Sequence, residues 1–307
     1  MTTYKWPLMG HIRQLKALES DLAQDRISQA YLFSGPSQIG KTLIAKTFAQ
    51  ILQCNKGFCR DCPTCRQIDH EQHIDTFFLK DDGESLKIET IRNLVHHLST
   101  TTSSNYKVVI IQNIERITIA AANAFLKTLE EPISRVVFLL TTTQKQKLLD
   151  TILSRTRVLN FQTIPEAELH DYLKKDYPTL DKNTATMMAT FAMGRPGRVM
   201  EFAKDPDRFR YYQDMYHQIA KFLERSSVTD RMLYVDDLLK MPDSIDPFFE
   251  LFSHLVRGLM LQKLAGDQVM YSFEQLFGIV DYLSQARFEL DHNVNSKLVL
   301  ENLMLRF

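Results

Sequence analysis

The chain has 307 residues, with 37 Lys plus Arg against 37 Asp plus Glu, so no chain-wide basic field marks it for nucleic acid and any DNA contact must be local or shared with partners. Its length implies two or three compact units. Residues 1–10 show no basic-then-apolar leader, and the longest apolar runs, such as 136–140, are far short of the roughly 18 residues of a membrane span, so a soluble, cytoplasmic protein is expected.

Residues 8–25, with Leu15, Leu18 and Leu22 at helical spacing, predict an amphipathic helix. Ala30-Tyr31-Leu32-Phe33 is a short apolar run ending at Ser34-Gly35-Pro36, as a buried strand entering a loop would. Ile44, Phe48, Ile51 and Leu52 then return to helical spacing. Further strands are expected at 75–79, 108–111, 136–140 and 158–161, and helices at 88–98, at 120–130, stopped by Pro132, and at 148–153. Such alternation implies a mostly parallel sheet covered on both faces. Beyond Pro165 the pattern is helical: short helices over 166–203 around the turn Gly194-Arg195-Pro196-Gly197-Arg198, then longer ones. The stripe Phe248, Phe252, Leu255, Val256 and Leu259 reads as a bundle core.

Gly35-Pro36-Ser37-Gln38-Ile39-Gly40-Lys41-Thr42 is G-x-x-x-x-G-K-T between a strand and a helix. In such a loop backbone N–H groups wrap phosphate oxygens, the lysine neutralises charge and the hydroxyl ligates Mg²⁺. The helix N-terminus adds its partial positive charge at the same spot. Hydrolysis also needs an acid at the end of a neighbouring strand and a group that activates water. After residues 108–111 come Gln112-Asn113-Ile114-Glu115. The amides Gln112 and Asn113 neither offset a cation's charge nor act as a base near neutral pH. Glu115 is the candidate replacement, although it is expected to project from the following loop.

Cys54-x4-Cys59-x2-Cys62-x2-Cys65 puts four thiolates in one short segment, enough for a closed, structural zinc site rather than a catalytic one. An iron–sulfur cluster or free thiols are the alternatives, and His70 and His73 read as ordinary surface histidines.

Ala30-Tyr31-Leu32-Phe33-Ser34-Gly35, the phosphate loop, the cysteines, residues 107–111, Asn123-Ala124-Phe125-Leu126-Lys127-Thr128-Leu129-Glu130-Glu131-Pro132 and Ile152-Leu153-Ser154-Arg155 resemble, in order, the bacterial DNA polymerase III clamp-loader subunits of the AAA+ class. The resemblance covers 30–156 and thins beyond. It implies an α/β AAA+ P-loop domain at 1–163 with an inserted four-cysteine zinc module at 54–66, a helical lid at 164–205 and an all-α collar, or oligomerisation domain, at 206–307. Motor subunits of that family, gamma or tau, carry Asp-Glu where this chain has Gln112-Asn113, and Ser-Arg-Cys where it has Ser154-Arg155-Thr156. The first departure is similar to the family's stationary delta-prime branch, which does not hydrolyse ATP; the second keeps the arginine. The resemblance therefore implies ATP or ADP in the loop with little turnover, and Arg155, beside Ser154, acting in trans as an arginine finger on a neighbour's γ-phosphate. Thr142 would stand at the polar sensor position after the 136–140 strand, while neither Arg195 nor Arg198 is assigned the second sensor role. Implied partners are gamma or tau and delta subunits in a hetero-pentamer, with the sliding clamp and primed DNA reached through the complex and the nucleoid through the replisome. Motor subunits often continue past the collar, so an end at Phe307 fits the stationary branch. Two other readings are an active motor ATPase using Glu115, and a zinc loop that touches DNA through Arg60 and Arg66, against which the balanced charge argues.

Overall fold

A computed structural model describes residues 4–99, 104–131, 135–224 and 227–306; Pro132, expected to stop a helix, lies outside them. The chain divides into two compact units, Met1–Met200 and Glu201–Phe307.

In the first unit α1 (Ile12–Ala23), β1 (Ala30–Ser34), α2 (Lys41–Gln53), α3 (Pro63–Asp69), β2 (Thr76–Leu79), α4 (Ile88–Leu98), β3 (Lys107–Ile111), α5 (Ile119–Glu130), β4 (Val136–Thr142), α6 (Asp150–Leu153) and β5 (Arg157–Asn160) follow in order. The described strands form one five-stranded sheet in the order β2-β3-β4-β1-β5, and every pairing is parallel. Successive side chains of a strand point to opposite faces, and both faces are covered here. Tyr31, Phe33, Val108, Ile110, Val137 and Leu139 pack with Leu18, Ile44 and Phe48 of α1 and α2. Ala30, Leu32, Val109, Ile111, Phe138 and Leu140 pack with Ile91, Leu94 and Phe125 of α4 and α5. Burial on two faces is why these strands read as unbroken apolar runs, each large side chain contributing roughly 1.5–3 kcal/mol. The chain leaves β1 for the sheet edge, returns through β3 and β4, then crosses to β5. That reversal opens a crevice at the carboxyl end of β1, the usual ligand position in such sheets.

Three local expectations change. The first helix starts at Ile12, four residues later than its spacing suggested, because Gly10 and His11 adopt φ 67° and 58°. Residues 4–9 form instead a strap whose Trp6 and Leu8 pack on the core. Within the cysteine segment Pro63, at the first helical position where its missing N–H costs nothing, opens the unanticipated α3. β4 extends through Thr142, which pairs with Ser34, so Thr142 ends the strand rather than following it.

The unit continues with α7 (Glu166–Asp176), α8 (Lys182–Ala192) and the start of α9 (Pro196–Lys204), which crosses into the second unit. That unit adds α10 (Pro206–Glu224), α11 (Val228–Leu239), α12 (Ile245–Leu264), α13 (Phe273–Asp291) and α14 (Ser296–Met304). Most of the expected stripe is its core: Phe248, Phe252 and Val256 are fully buried and Leu255 nearly so, while Leu259 is half-buried, with ring centroids of Phe248 and Phe252 5.6 Å apart. Ser272 and Gln275 form a reciprocal capping box at the start of α13. No described helix is long and apolar enough to cross a membrane.

Candidate functional site

The phosphate loop leaves β1 and enters α2 at Gly40, whose φ of 95° is the left-handed conformation that glycine adopts without strain. Gly35 N–H donates to the Thr142 carbonyl (3.1 Å), tying the loop to the end of β4. Ile39 is fully buried beneath the loop, while Ser37 and Gln38 are exposed and Pro36 and Thr42 half-buried. The Lys41 ammonium donates to the carbonyls of Gly35 (2.8 Å) and Pro36 (2.6 Å). Burial pushes it down to about 8; the Glu115 charge opposes that shift and Arg195 adds to it. Lys41 stands at the N-terminus of α2, where a helix favours anions.

Two distant segments close over the loop. The Leu8 side chain lies where a Cβ on Gly40 would be, 2.4 Å from that point. From α9, Gly197 N–H donates to the Gln38 carbonyl (2.7 Å) and Arg198 Nε to Gln38 Oε1 (3.0 Å). Trp6, Leu8, Gly40, Leu43, Tyr172 and Met200 contribute to a largely apolar cavity of about 630 Å³ beside the loop, within the range of small-molecule sites. The strap did not stand out in the sequence; Gly197 did so only as part of the Gly-Arg-Pro-Gly turn, and no local rule places that turn at this loop.

Gln112 and Asn113 do follow β3, yet their side chains engage Asp81. Gln112 Oε1 accepts from Asp81 N–H (3.3 Å), and Asn113 Nδ2 donates to Asp81 Oδ2 (2.5 Å). Arg116 pairs with the same carboxylate (3.0 Å). Glu115 lies on the 3₁₀ turn Ile114–Arg116, and its carboxylate reaches back to the end of β4. Its Oε1 accepts from Thr143 N–H (2.8 Å) and Oγ1 (2.6 Å). Burial alone would raise this carboxyl, but the Thr143 and Thr142 hydroxyls and backbone N–H groups hold it below the usual range.

Thr142 is fully buried, and its Oγ1 accepts from Gln144 N–H (3.1 Å). Ser154 and Arg155 are exposed at the end of α6. The Arg155 guanidinium donates to the Thr151 carbonyl (3.0 Å) and pairs with Glu130 (2.7 Å). None of these contacts belongs to the chain's own phosphate loop.

The four cysteine sulfurs lie within 4.8 Å of one another. Cys54 Sγ is 3.7 Å from Cys59 Sγ and 3.9 Å from Cys62 Sγ, matching the edge of about 3.8 Å expected for thiolates on tetrahedral zinc. N–H groups of Cys62 (3.3 Å) and Cys65 (3.5 Å) donate to the sulfurs of Cys59 and Cys62. N–H donors from Asp61 and Cys62 bring the Cys59 thiol down to about 6, whereas burial pushes Cys65 up. The cluster has the spacing and donor set to hold a metal ion. It also touches the strap: Phe58 meets the Tyr4 ring at 6.3 Å, and Arg60 donates to the Lys5 carbonyl.

A five-stranded parallel sheet whose penultimate strand, β1, runs into a phosphate loop with helices closing over it is the architecture of the AAA+ class of nucleotide-site proteins. Residues 10–165, half of the chain, match the model of the family described as DNA polymerase III, delta subunit; the chain belongs to that family of clamp-loader subunits. Among its relatives, DNA polymerase III subunit delta' of Bacillus subtilis is 36% identical over 174 residues, 55% of this chain and 53% of that one. Subunit tau/gamma of Haemophilus influenzae is 35% identical over 54% of this chain and 25% of that one. The chain thus spans about half the length of the first relative and a quarter of the second. Two Thermotoga maritima structures share the fold. A gamma subunit-related protein has TM-score 0.50 at 19% identity, covering 94% of this chain and 97% of that one. The RuvB Holliday junction branch migration motor has TM-score 0.53 at 15% identity, covering 85% and 96%.

Proposed function

We propose that this chain is a delta-prime-type subunit of the DNA polymerase III clamp loader: it binds ATP or ADP without turning it over, and it supplies Arg155 to a neighbour's site. The observation that carries the reading is the commitment of Gln112 and Asn113 to Asp81, which leaves the strand-end position without an acid for water activation. The intact loop, the apolar cavity beside Gly40 and Leu43 and an Arg155 held among the described residues by an exposed ion pair and local bonds support it.

In this reading residues 164–205 form the lid, with Thr142 as the polar sensor, and 206–307 form the collar. The cysteine module holds a structural Zn²⁺, which locks the loop 54–66. Mg²⁺ would be held by Thr42 Oγ1 and an acid of the site, and would neutralise phosphate charge. The partners are gamma or tau and delta subunits in a hetero-pentamer that places a sliding clamp on primed DNA in the cytoplasm, at the nucleoid.

The test is reconstitution with gamma or tau and delta subunits. Arg155→Ala is expected to lower clamp- and DNA-stimulated ATPase of the assembly by about 10³-fold, the lower end of the arginine-finger effect in related GTPases. Unchanged turnover sinks the finger role. The second reading, an active gamma- or tau-type ATPase, is favoured by one feature, the Glu115 carboxylate, whose charge opposes the lowering of the Lys41 pKa. Hydrolysis by the purified chain, stimulated by clamp and primed DNA and lost in Lys41→Ala, would establish it instead.

A further inference from the structure

We propose that the four-cysteine module is a positioning element of the nucleotide site: Phe58 and Arg60 hold the strap of residues 4–9 against the phosphate loop, so that metal in the module and nucleotide in the cavity bind cooperatively. The inference rests on the reading of residues 35–42 as a nucleotide site and adds to it a second ligand, the metal ion, that acts on the site from outside it.

The strap carries no helix or strand of its own, so its place is set by what its side chains and carbonyls touch. Most of it belongs to the site. Trp6, Pro7, Leu8 and Met9 line the cavity together with Gly40 and Leu43, and Leu8 fills the space a Cβ on Gly40 would take, 2.4 Å from that point. A strap that shifts by the width of a side chain therefore opens the cavity and uncovers the start of α2.

The beginning of the strap belongs to the module. The Tyr4 ring meets the Phe58 ring edge-on at 6.3 Å, and the Arg60 guanidinium donates to the Lys5 carbonyl. The same guanidinium lies 4.8 Å from the Phe58 ring centroid, so the two module side chains brace each other as well as the strap. A second anchor is Glu19 of α1, whose Oε1 accepts from Tyr4 N–H and from Trp6 Nε1, both at 2.9 Å. Glu19 holds the residues on either side of Lys5, and the module holds Lys5 itself.

Backbone geometry ties these contacts to the metal. Phe58 and Arg60 have φ of 68° and 62°, a left-handed region that bulky residues occupy only where their surroundings enforce it. They flank Cys59, whose sulfur is 3.7 Å from that of Cys54 and accepts from the Cys62 N–H (3.3 Å). A metal ion shared by the four sulfurs, which lie within 4.8 Å of one another, keeps Cys59 in that place, and with it the two side chains that grip the strap. Without the ion the sulfurs lose their common partner, and the segment can relax toward ordinary backbone. If both ligands favour the closed strap, each raises the affinity of the other by the same factor.

The experiment measures ADP affinity by titration calorimetry, with excess Mg²⁺, for the zinc-loaded full chain and for Phe58→Ala/Arg60→Ala. A closed strap populated about a tenth as often raises the apparent Kd about 10-fold, and that rise, at unchanged zinc content, is the expected result. Arg66→Ala removes the same charge from the module, but Arg66 pairs with Asp61 and not with the strap; its Kd should match the wild type. The reciprocal measurement is competition with a chelator: ADP should raise the zinc affinity of the wild-type chain by that same factor and leave the double variant unaffected, a linkage that a merely structural contact does not produce. An unchanged Kd in the double variant, an equal rise in Arg66→Ala, a full chain that takes up no zinc, or zinc affinity indifferent to ADP overturns the proposal and leaves the nucleotide reading standing. Wild-type chain that does not bind ADP overturns that reading, and this inference with it. If circular dichroism shows the double variant unfolded, Arg60→Ala alone, at an exposed side chain, provides the same contrast, and an unchanged Kd there overturns the proposal.

Discussion

Lys41 shows how one residue's environment sets a measurable pH signature. Burial lowers its pKa from 10.5 to about 8, so between those values the unfolded chain binds a proton that the folded chain lacks, and this residue's share of stability rises with pH across the window. A phosphate beside the ammonium favours the charged form and raises the pKa again. Nucleotide binding should consequently take up protons at pH 8.5 and almost none at pH 6.5. Titration calorimetry in two buffers of different ionisation enthalpy checks this; identical apparent enthalpies at pH 8.5 would exclude it. Arg155 is the contrasting case. Its pair with Glu130 is exposed, and such pairs contribute about 0–1 kcal/mol. Arg155→Ala should therefore melt within a few degrees of the parent, so that any loss in the assembled complex is not a folding defect.

At the scale of elements, the contact between α9 and the phosphate loop makes a sharp demand on Gly197. A Cβ there would come within 2.6 Å of the Gln38 carbonyl, which is backbone and has little room to yield. Gly197→Ala is expected to cost about 1–3 kcal/mol, the usual range for overpacking, and denaturant unfolding would measure it; a neutral substitution would mean that α9 shifts freely. The cysteine module and the strap are a second pair of coupled elements. Trp6 is the chain's single tryptophan, and its Nε1 donates to Glu19 Oε1 (2.9 Å). Tyr4 and Lys5, just before it, are held by Phe58 and Arg60. Chelation should release about one zinc per chain, the four-ligand stoichiometry of a closed site, and change Trp6 fluorescence as the strap loosens. Metal release with an unaltered emission spectrum would show that the two are uncoupled.

For the whole molecule, each unit has its own core. In Glu201–Phe307 the fully buried Phe248 and Phe252 pack ring against ring. Phe252→Ala should cost about 3–5 kcal/mol, seen as lost hydrogen-exchange protection in α12; protection unchanged within error would mean that the ring is not part of the core. Much of the first unit's architecture was legible in the chain itself. The runs at 30–33, 108–111 and 136–140 are apolar because both faces of their sheet are covered, and that covering is what alternation with amphipathic helices announces. The start of α1 was less legible: Leu8 reads as a helix position until Gly10 and His11 turn the chain, and it packs instead on the core with Trp6.

The local sequence determined the phosphate loop, the cysteine cluster and the absence of an Asp-Glu pair after β3, because each depends on residues within a dozen positions of one another. Only the tertiary structure decided what surrounds the loop. Leu8 and Gly197 meet it from two separate stretches of chain, and Glu115 and Thr143 meet each other at the end of β4. Glu115 and Thr143 meet because parallel strands bring their carboxyl ends to one edge of the sheet, a consequence of strand order that no local spacing encodes. The same convergence anchors Glu115, a residue of the turn after β3, to the backbone and hydroxyl of Thr143 at the end of β4.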